Sequence, residues 1–243
     1  MTHHVDAERV VLAAGALNTT RLLFRARDLH GTLPRVSAAL GTRFSPNADV
    51  LGIAFGTDLV RGLSRGPAFN AFVRRALPDA RRYLVGELGL PLEALPVGGA
   101  LRAWLERAAV FVAMGEDTVR SSLRFDGSEG LLTDASRDGD PALFAAMETD
   151  MAALARAYGS ARAWLNVPSG RGGRRLATVH PVGGAPIGRG PGDGVVDHRG
   201  EVFGHPRLYV ADGALYPAPP GVPPSLTIAA LAERQADLAV RGE

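Results

Sequence analysis

The sequence contains no cysteine and no lysine, and all 27 of its basic residues are arginine. Without cysteine the chain cannot form a disulfide, a thiolate metal site or a cysteine nucleophile. Without lysine it cannot carry a Schiff base on a lysine side chain. These two absences exclude several covalent enzyme mechanisms.

Long apolar runs and a large net charge are also missing. No apolar stretch approaches the ~18 residues of a membrane-spanning helix, and the first residues contain no hydrophobic signal segment. The net charge is only +2, which gives no broad positive field for nucleic acid; the arginine cluster at 171–175 is typical of a solvated loop. We therefore predict a cytoplasmic protein with no membrane span and no nucleic-acid partner.

The six histidines do not have the spacing of metal ligands. None of them occurs in an HxH or HExxH pattern, and these are the short patterns that place two imidazoles on one ion. The sequence therefore predicts no metal site.

The 243 residues are 46% hydrophobic, with 30 glycines and 17 prolines, which suits one large or two small loop-rich domains. Apolar periodicity and turn residues predict strands within 7–16, 48–56 and 206–214, a hairpin within 121–135, and helices over 17–29, 140–159 and 225–240. The segments 68–77 and 101–115 are apolar enough for either a helix or a buried strand.

Three short segments contain residues suited to chemistry. His180 lies in HPVGG, where a proline fixes the next turn and two glycines permit close approach of backbone; it is either a general base facing a flat ligand or a histidine satisfied within its loop. Asp212 and Gly213 follow a buried strand, at the end where ligands bind in open α/β sheets. Pro224, Ser225 and Thr227 begin a helix whose N-terminus favours an anionic group.

One further motif predicts a different enzyme class. The pentapeptide GLSRG (62–66) matches the G-x-S-x-G nucleophile elbow of α/β-hydrolases, with Ser64 as the nucleophile. The elbow requires several parallel strands before it, and only ~60 residues precede Ser64. A serine hydrolase therefore stays an alternative with weak support.

Four stretches occur in a fixed order: AERVVLAAGALNTTRLL (7–23), LGTRFSPNADVLG (40–52), HPVGG (180–184) and LYVADGALYP…GVPPSLTIAALAER (208–234). Together they resemble the glucose-methanol-choline (GMC) oxidoreductases, and within that family the cholesterol-oxidase-like branch. The resemblance extends from about residue 7 to residue 240. It implies an FAD enzyme that oxidises the CH–OH group of an alcohol, with a sterol or another bulky apolar alcohol as the substrate.

The resemblance also implies roles for individual residues. His180 is expected at the flavin face, where it positions the substrate hydroxyl or accepts its proton. The predicted cofactor-binding residues come from three segments: Ala14 and Gly15 after the first strand, Asp212 and Gly213 after the last strand, and Pro224, Ser225 and Thr227 at the final helix.

The sequence departs from the family pattern at three points. No G-x-G-x-x-G unit is present, so the resemblance implies a chain that lacks the N-terminal FAD-binding half, or that receives it from a partner. Pro223 occupies the position at which the steroid-oxidising branch has an asparagine that helps to hold the substrate oxygen. The catalytic glutamate of that branch has no matching position.

The expected fold is α/β (α+β), with a partial, Rossmann-like FAD-binding core and a substrate domain containing a mixed or antiparallel sheet with helices. Residues 1–28 and 176–243 are predicted to form the cofactor part, and residues 29–175 the substrate-binding domain. The predicted function is an FAD-dependent alcohol oxidase or dehydrogenase. The alternatives are a catalytically inactive fragment, one subunit of a split flavoenzyme, and the serine hydrolase.

Overall fold

A computed structural model describes residues 5–58, 69–89, 91, 94, 96, 98–118, 121–128, 130–160, 162–165 and 176–241. Ser64 and the arginine cluster at 171–175 lie outside these residues, so the hydrolase motif and the predicted solvated loop have no structural description. No helix among the described residues is both long and apolar enough to cross a membrane.

The larger part of the fold is a five-stranded antiparallel sheet with the strand order β3-β4-β5-β2-β8. Its strands are β2 (Val50–Phe55), β3 (Phe69–Ala76), β4 (Arg82–Leu88), β5 (Ala109–Gly115) and β8 (Arg162–Leu165). The central strand β5 is AVFVAMG, an apolar run that is buried at all seven positions because both faces of the sheet are covered there. The predicted antiparallel sheet with helices is confirmed.

The two ambiguous apolar segments adopt different structures. The segment 68–77 contains the edge strand β3, whereas 101–115 contains the end of helix α2 (Gly99–Leu105) and then strand β5. The charged pair Glu106 and Arg107 separates the two elements, because it ends the helix before the continuous apolar run begins. The predicted hairpin is also present, as β6 (Leu123–Phe125) and β7 (Leu131–Thr133) around Gly127.

Helix α3 (Pro141–Ala157) covers one face of the sheet. Its N-terminus has the predicted form: the Asp140 carboxylate accepts from the backbone N–H of Leu143 at 3.3 Å, and Pro141 occupies the first turn. The buried residues of the helix recur at helical spacing and pack against the sheet: Leu143, Phe144, Met147, Met151 and Ala155. The helix is therefore specified by its own sequence.

Asp140 also joins α3 to the sheet. Its carboxylate accepts from the Arg81 guanidinium and, at 3.0 Å, from the backbone N–H of Thr118, while the residue is only 3% exposed. Burial raises the pKa of Asp140, but the hydrogen bonds from Arg81, Thr118 and Leu143 outweigh it and leave the pKa below its usual value.

We expect an Asp140→Asn variant to lose about 2–4 kcal/mol of unfolding free energy at pH 7, because a partly buried guanidinium loses a charged partner. The pKa of Asp140 is lower in the folded chain than in the unfolded chain, so its stabilisation is complete above about pH 4 and disappears as the pH falls through the folded-state value. Urea titrations from pH 8 downward, extended as far into acid as the chain stays folded, should show the difference in unfolding free energy between parent and variant shrinking as the pH falls below about 4. Asp237→Asn, at a mostly exposed helical ion pair, is the control and should match the parent throughout.

The smaller part of the fold brings the two ends of the described chain together. Strand β1 (Val10–Leu12) pairs in parallel with β9 (Leu208–Val210), and helix α1 (Gly15–Phe24) continues through a π-helical turn, Arg25–Leu29. Helix α4 (Ser225–Arg241) is the last element. A buried cluster includes Leu23, Phe44, Leu123, Val210 and Leu215 and lies beneath α1. The domain boundaries at 28 and 176 stay a prediction.

The sheet face opposite α3 is apolar and points towards the loop that precedes α4. Leu84, Val112 and Met114 are buried on this face, and Val222 from the loop packs against them. Farther along the same face, Phe55 stacks on Trp104 with ring centroids 4.8 Å apart. The loop before α4 is thus attached to the substrate-side sheet.

Candidate active site

The HPVGG segment is a ribbon held on both sides by other parts of the chain. On one side, Val182 and Ser45 exchange backbone hydrogen bonds of 3.0 and 2.9 Å. On the other, the N–H of Gly183 donates to the carbonyl of Gly213 at 2.8 Å, and the N–H of Ala185 donates to that of Ala214 at 3.0 Å. Three of the four stretches quoted from the sequence are therefore hydrogen-bonded neighbours.

The two glycines of HPVGG are required by this packing. Gly183 and Gly184 have φ of 83° and 102°, which side chains rarely adopt. A Cβ on Gly183 would overlap the carbonyl oxygen of Arg43, and one on Gly184 would overlap the hydroxyl of Thr20. The close backbone approach predicted from the sequence thus occurs, and its partners are the protein's own residues.

His180 forms a pair with Asp49, which the sequence analysis had not singled out. The Nδ1 atom of His180 lies 3.1 and 3.0 Å from the two carboxylate oxygens of Asp49. Asp49 is 5% exposed, whereas the His180 side chain retains 18% exposure. The pair combines a buried carboxylate with an imidazole at the surface of the site, an arrangement used in acid–base catalysis.

Asp212 has a structural role inside the protein. One of its oxygens accepts from the N–H of Gly15 at 2.9 Å and from the hydroxyl of Thr19 at 2.5 Å, and the other accepts from the N–H of Ala214 at 2.8 Å. The residue is 6% exposed. Its carboxylate joins the start of α1 to the turn after β9, which brings Ala14 and Gly15 beside Gly213; a contact of these residues with a cofactor stays a prediction.

The N-terminus of α4 is open to solvent on one side. Pro224 is buried, whereas Ser225 and Thr227 are exposed, and no acidic residue lies in the first turn. The hydroxyl of Tyr216 donates to the carbonyl of Pro224 at 3.3 Å. Burial raises the pKa of Tyr216, and the hydrogen bond with Thr227 offsets part of that shift. This helix end thus offers N–H groups and a positive dipole end that no carboxylate of its own first turn neutralises.

Asn47 fixes the loop that contains Pro223. Its side-chain oxygen accepts from the N–H of Gly221 at 2.9 Å, and its side-chain nitrogen donates to the carbonyl of Val222 at 3.0 Å. Both ends of this fully buried amide are therefore used by the loop backbone.

Two other features contribute less to the site. In the described part of the chain, no group of three or more histidine, aspartate or glutamate side chains is arranged to hold a metal ion. A cavity of about 960 Å³ is lined by residues of the segments 38–45, 117–118, 121–122, 191–193 and 217–219. None of the predicted site residues lines this cavity, although its wall includes Ser45, the pairing partner of Val182.

Comparison with known proteins assigns the chain to a family. Residues 128–232 match the model of the GMC oxidoreductase C-terminal domain. The chain is also 30% identical to the cholesterol oxidase of Mycobacterium tuberculosis over 280 aligned residues, which cover 96% of this chain. The chain belongs to the GMC oxidoreductases.

Other GMC oxidoreductases align over nearly the whole chain. The cholesterol oxidase of Acinetobacter baumannii is 26% identical and aligns with 93% of it. The crystal structure of pyridoxine 4-oxidase from Mesorbium loti superposes with a TM-score of 0.66 at 20% identity, over 96% of this chain and 51% of that one. The chain spans 46% of the length of each of the two cholesterol oxidases. At this identity the structural likeness shows the shared fold.

GMC oxidoreductases are FAD flavoproteins, and the observed residues fit the flavin end of that cofactor. The α4 N-terminus, with Ser225 and Thr227 exposed, suits the pyrimidine edge, where a reduced flavin gathers negative charge. A Cβ on Gly213 would make only ordinary contacts with Pro181 and Ile228, so the packing within the chain does not by itself require a glycine at this position. None of these residues is assigned to the adenosine end of FAD.

Proposed function

We propose that this chain provides the catalytic and substrate-binding part of an FAD-dependent GMC oxidoreductase that oxidises the CH–OH group of an alcohol. The observation that carries the proposal is the position of HPVGG between Ser45 and Gly213, which holds His180 near the turn that leads to α4. The residues 1–28 and 176–243 would form the cofactor part, 29–175 the substrate part, and the protein would act in the cytoplasm.

In the proposed reaction, His180 accepts the hydroxyl proton of the alcohol while the carbon-bound hydrogen leaves as hydride. The O–H bond breaks, an N–H bond forms on the imidazole, and the alcohol becomes a carbonyl compound. Flavin, when bound, supplies the hydride acceptor. Ala14, Gly15, Asp212, Gly213, Pro224, Ser225 and Thr227 would line it, and an oxidant such as O2 would regenerate it.

A sterol or another bulky apolar alcohol is the substrate class that fits best. The sheet face opposite α3 buries Leu84, Val112 and Met114 against Val222, and its accessible part includes the half-exposed ring of Trp104, which stacks on Phe55. An exposed aromatic surface of this kind would suit a ligand that is apolar over most of its area. Two relatives that align over nearly all of this chain are cholesterol oxidases, which supports the same class.

A second candidate is that the chain acts only with a separate half that carries the G-x-G-x-x-G unit. In the described structure β1 pairs with β9 alone, and Val10 and Val11 are 46% and 57% exposed. Parallel strands in α/β folds are normally buried on both faces. An added α/β layer against β1 would bury these valines and supply the adenosine site.

Absorption spectroscopy tests the proposal. We expect the chain mixed with FAD to retain a flavin band at about 450 nm after desalting, and anaerobic addition of a 3β-hydroxysteroid to bleach that band more than a small primary alcohol does. Binding that appears only after co-expression with a G-x-G-x-x-G half would favour the second candidate. If no alcohol bleaches the flavin in either preparation, the proposed activity is wrong.

A further inference from the structure

We propose that Asp49 is a positioning residue that sets the protonation pattern of His180: it holds the proton on Nδ1 and leaves Nε2 as the base. This inference deepens the proposed function and rests on it for its catalytic meaning. The geometric part, the location of the proton, can be measured without cofactor or substrate.

The hydrogen bonds around Asp49 determine which member of the Asp49–His180 pair donates the proton and which accepts it. Its carboxylate is approached by the hydroxyl of Thr178 at 2.9 Å and by the backbone N–H groups of Val179 and His180 at 2.9 and 3.2 Å. The Thr178 hydroxyl itself accepts from the N–H of His180 at 2.9 Å, so its proton points to Asp49. Every neighbour donates, and a carboxylate in this setting is an acceptor for Nδ1 as well.

The opposite nitrogen is left open. Among the described residues, Nε2 of His180 has no hydrogen-bond partner, while the side chain keeps part of its surface exposed. With the proton on Nδ1, the lone pair of a neutral imidazole lies on Nε2. When Nε2 takes a proton from a hydroxyl, the positive charge forms next to the Asp49 carboxylate, which stabilises it.

The backbone conformation on either side of Asp49 fixes the position of its side chain. Asp49 follows two residues with positive φ, Asn47 at 56° and Ala48 at 48°, and it immediately precedes strand β2. Because Asn47 holds the loop of Gly221 and Val222 while Asp49 holds His180, one short turn aligns the histidine with the loop before α4.

The decisive experiment is long-range ¹⁵N–¹H spectroscopy of the imidazoles in alkaline buffer, which separates the Nδ1–H and Nε2–H tautomers. We expect His180 to be the Nδ1–H form in the parent. In Asp49→Asn the amide can also donate, so we expect the Nε2–H form to become populated. Thr178→Val removes a different donor from the same carboxylate and should leave the tautomer unchanged. A parent His180 in the Nε2–H form, or an Asp49→Asn spectrum identical to the parent, would overturn the assignment.

Kinetic measurements then distinguish a positioning role of Asp49 in the reaction from an effect on protein stability alone. In a preparation that oxidises alcohols, Asp49→Asn should lower kcat roughly 10²-fold or more with KM little changed, while Asp237→Asn, at the mostly exposed ion pair near the end of α4, stays close to the parent. A loss of kcat without any change in the tautomer would contradict the proposal. If the tautomer shifts as expected but no alcohol is oxidised, the positioning contact stands and the proposed function fails. Should Asp49→Asn not fold, the parent and Thr178→Val spectra still decide the proton's location.

Discussion

A His180→Ala variant is expected to bind flavin like the parent and to oxidise alcohols with kcat/KM reduced about 10²–10⁴-fold, the usual contribution of a general acid–base group. The fold should survive the change, because Asp49 keeps three of its donors: the hydroxyl of Thr178 and the N–H groups of Val179 and residue 180. The loss should therefore appear in the chemical step. Anaerobic stopped-flow reduction of the flavin at about 450 nm measures that step directly.

The matched control is His30→Ala, which removes an exposed histidine from the segment after α1. It should reduce the flavin at the parent rate. His180→Gln adds a second comparison, since its amide can still donate to Asp49 but cannot take up a proton. If either substitution at position 180 retains more than about a tenth of the parent rate, His180 is not the base.

Elements defined by local sequence were predictable, because their signals lie within one turn or one helix. The start of α3 follows from Asp140 and Pro141 together with apolar residues at helical spacing, and the structure has the same cap and the same buried side. The segment 101–115 was ambiguous for a related reason. It contains the end of a helix and a strand, and a single period cannot describe both.

The contacts that build the candidate site are long-range, and no spacing pattern predicts them. Asp49 is 131 positions from His180, and Asn47 is 174 positions from Gly221. Both acceptors lie in the stretch LGTRFSPNADVLG, which was recognised by family resemblance without a role for either side chain. Asp212 is a predicted cofactor-binding residue, and that role stays a prediction. Its use at the start of α1 depends on the pairing of β1 with β9, which only the fold reveals.

Gly183→Ala is expected to lower the free energy of unfolding by about 2–5 kcal/mol, with about 1–2 from the positive φ and about 1–3 from overpacking. The added methyl group would meet the carbonyl oxygen of Arg43 and, at 3.1 Å, the Cα of Phe44. These are backbone atoms of the ribbon that pairs with Val182, so they cannot rotate away as a flexible side chain would. Relief requires the HPVGG ribbon to move, which displaces His180 as well.

Gly15→Ala isolates the steric part of this effect. Gly15 has the same φ of 83°, but nothing lies within 4 Å of the position that its Cβ would take. The Gly15 variant should therefore lose only the ~1–2 kcal/mol of conformational strain, and urea denaturation of both variants gives the difference. Equal losses of unfolding free energy in the two variants would mean that the HPVGG ribbon relaxes freely around Arg43. A larger loss in the Gly183 variant would mean that the glycines of HPVGG keep this ribbon in contact with the backbone at Arg43, and that the orientation of His180 depends on that contact.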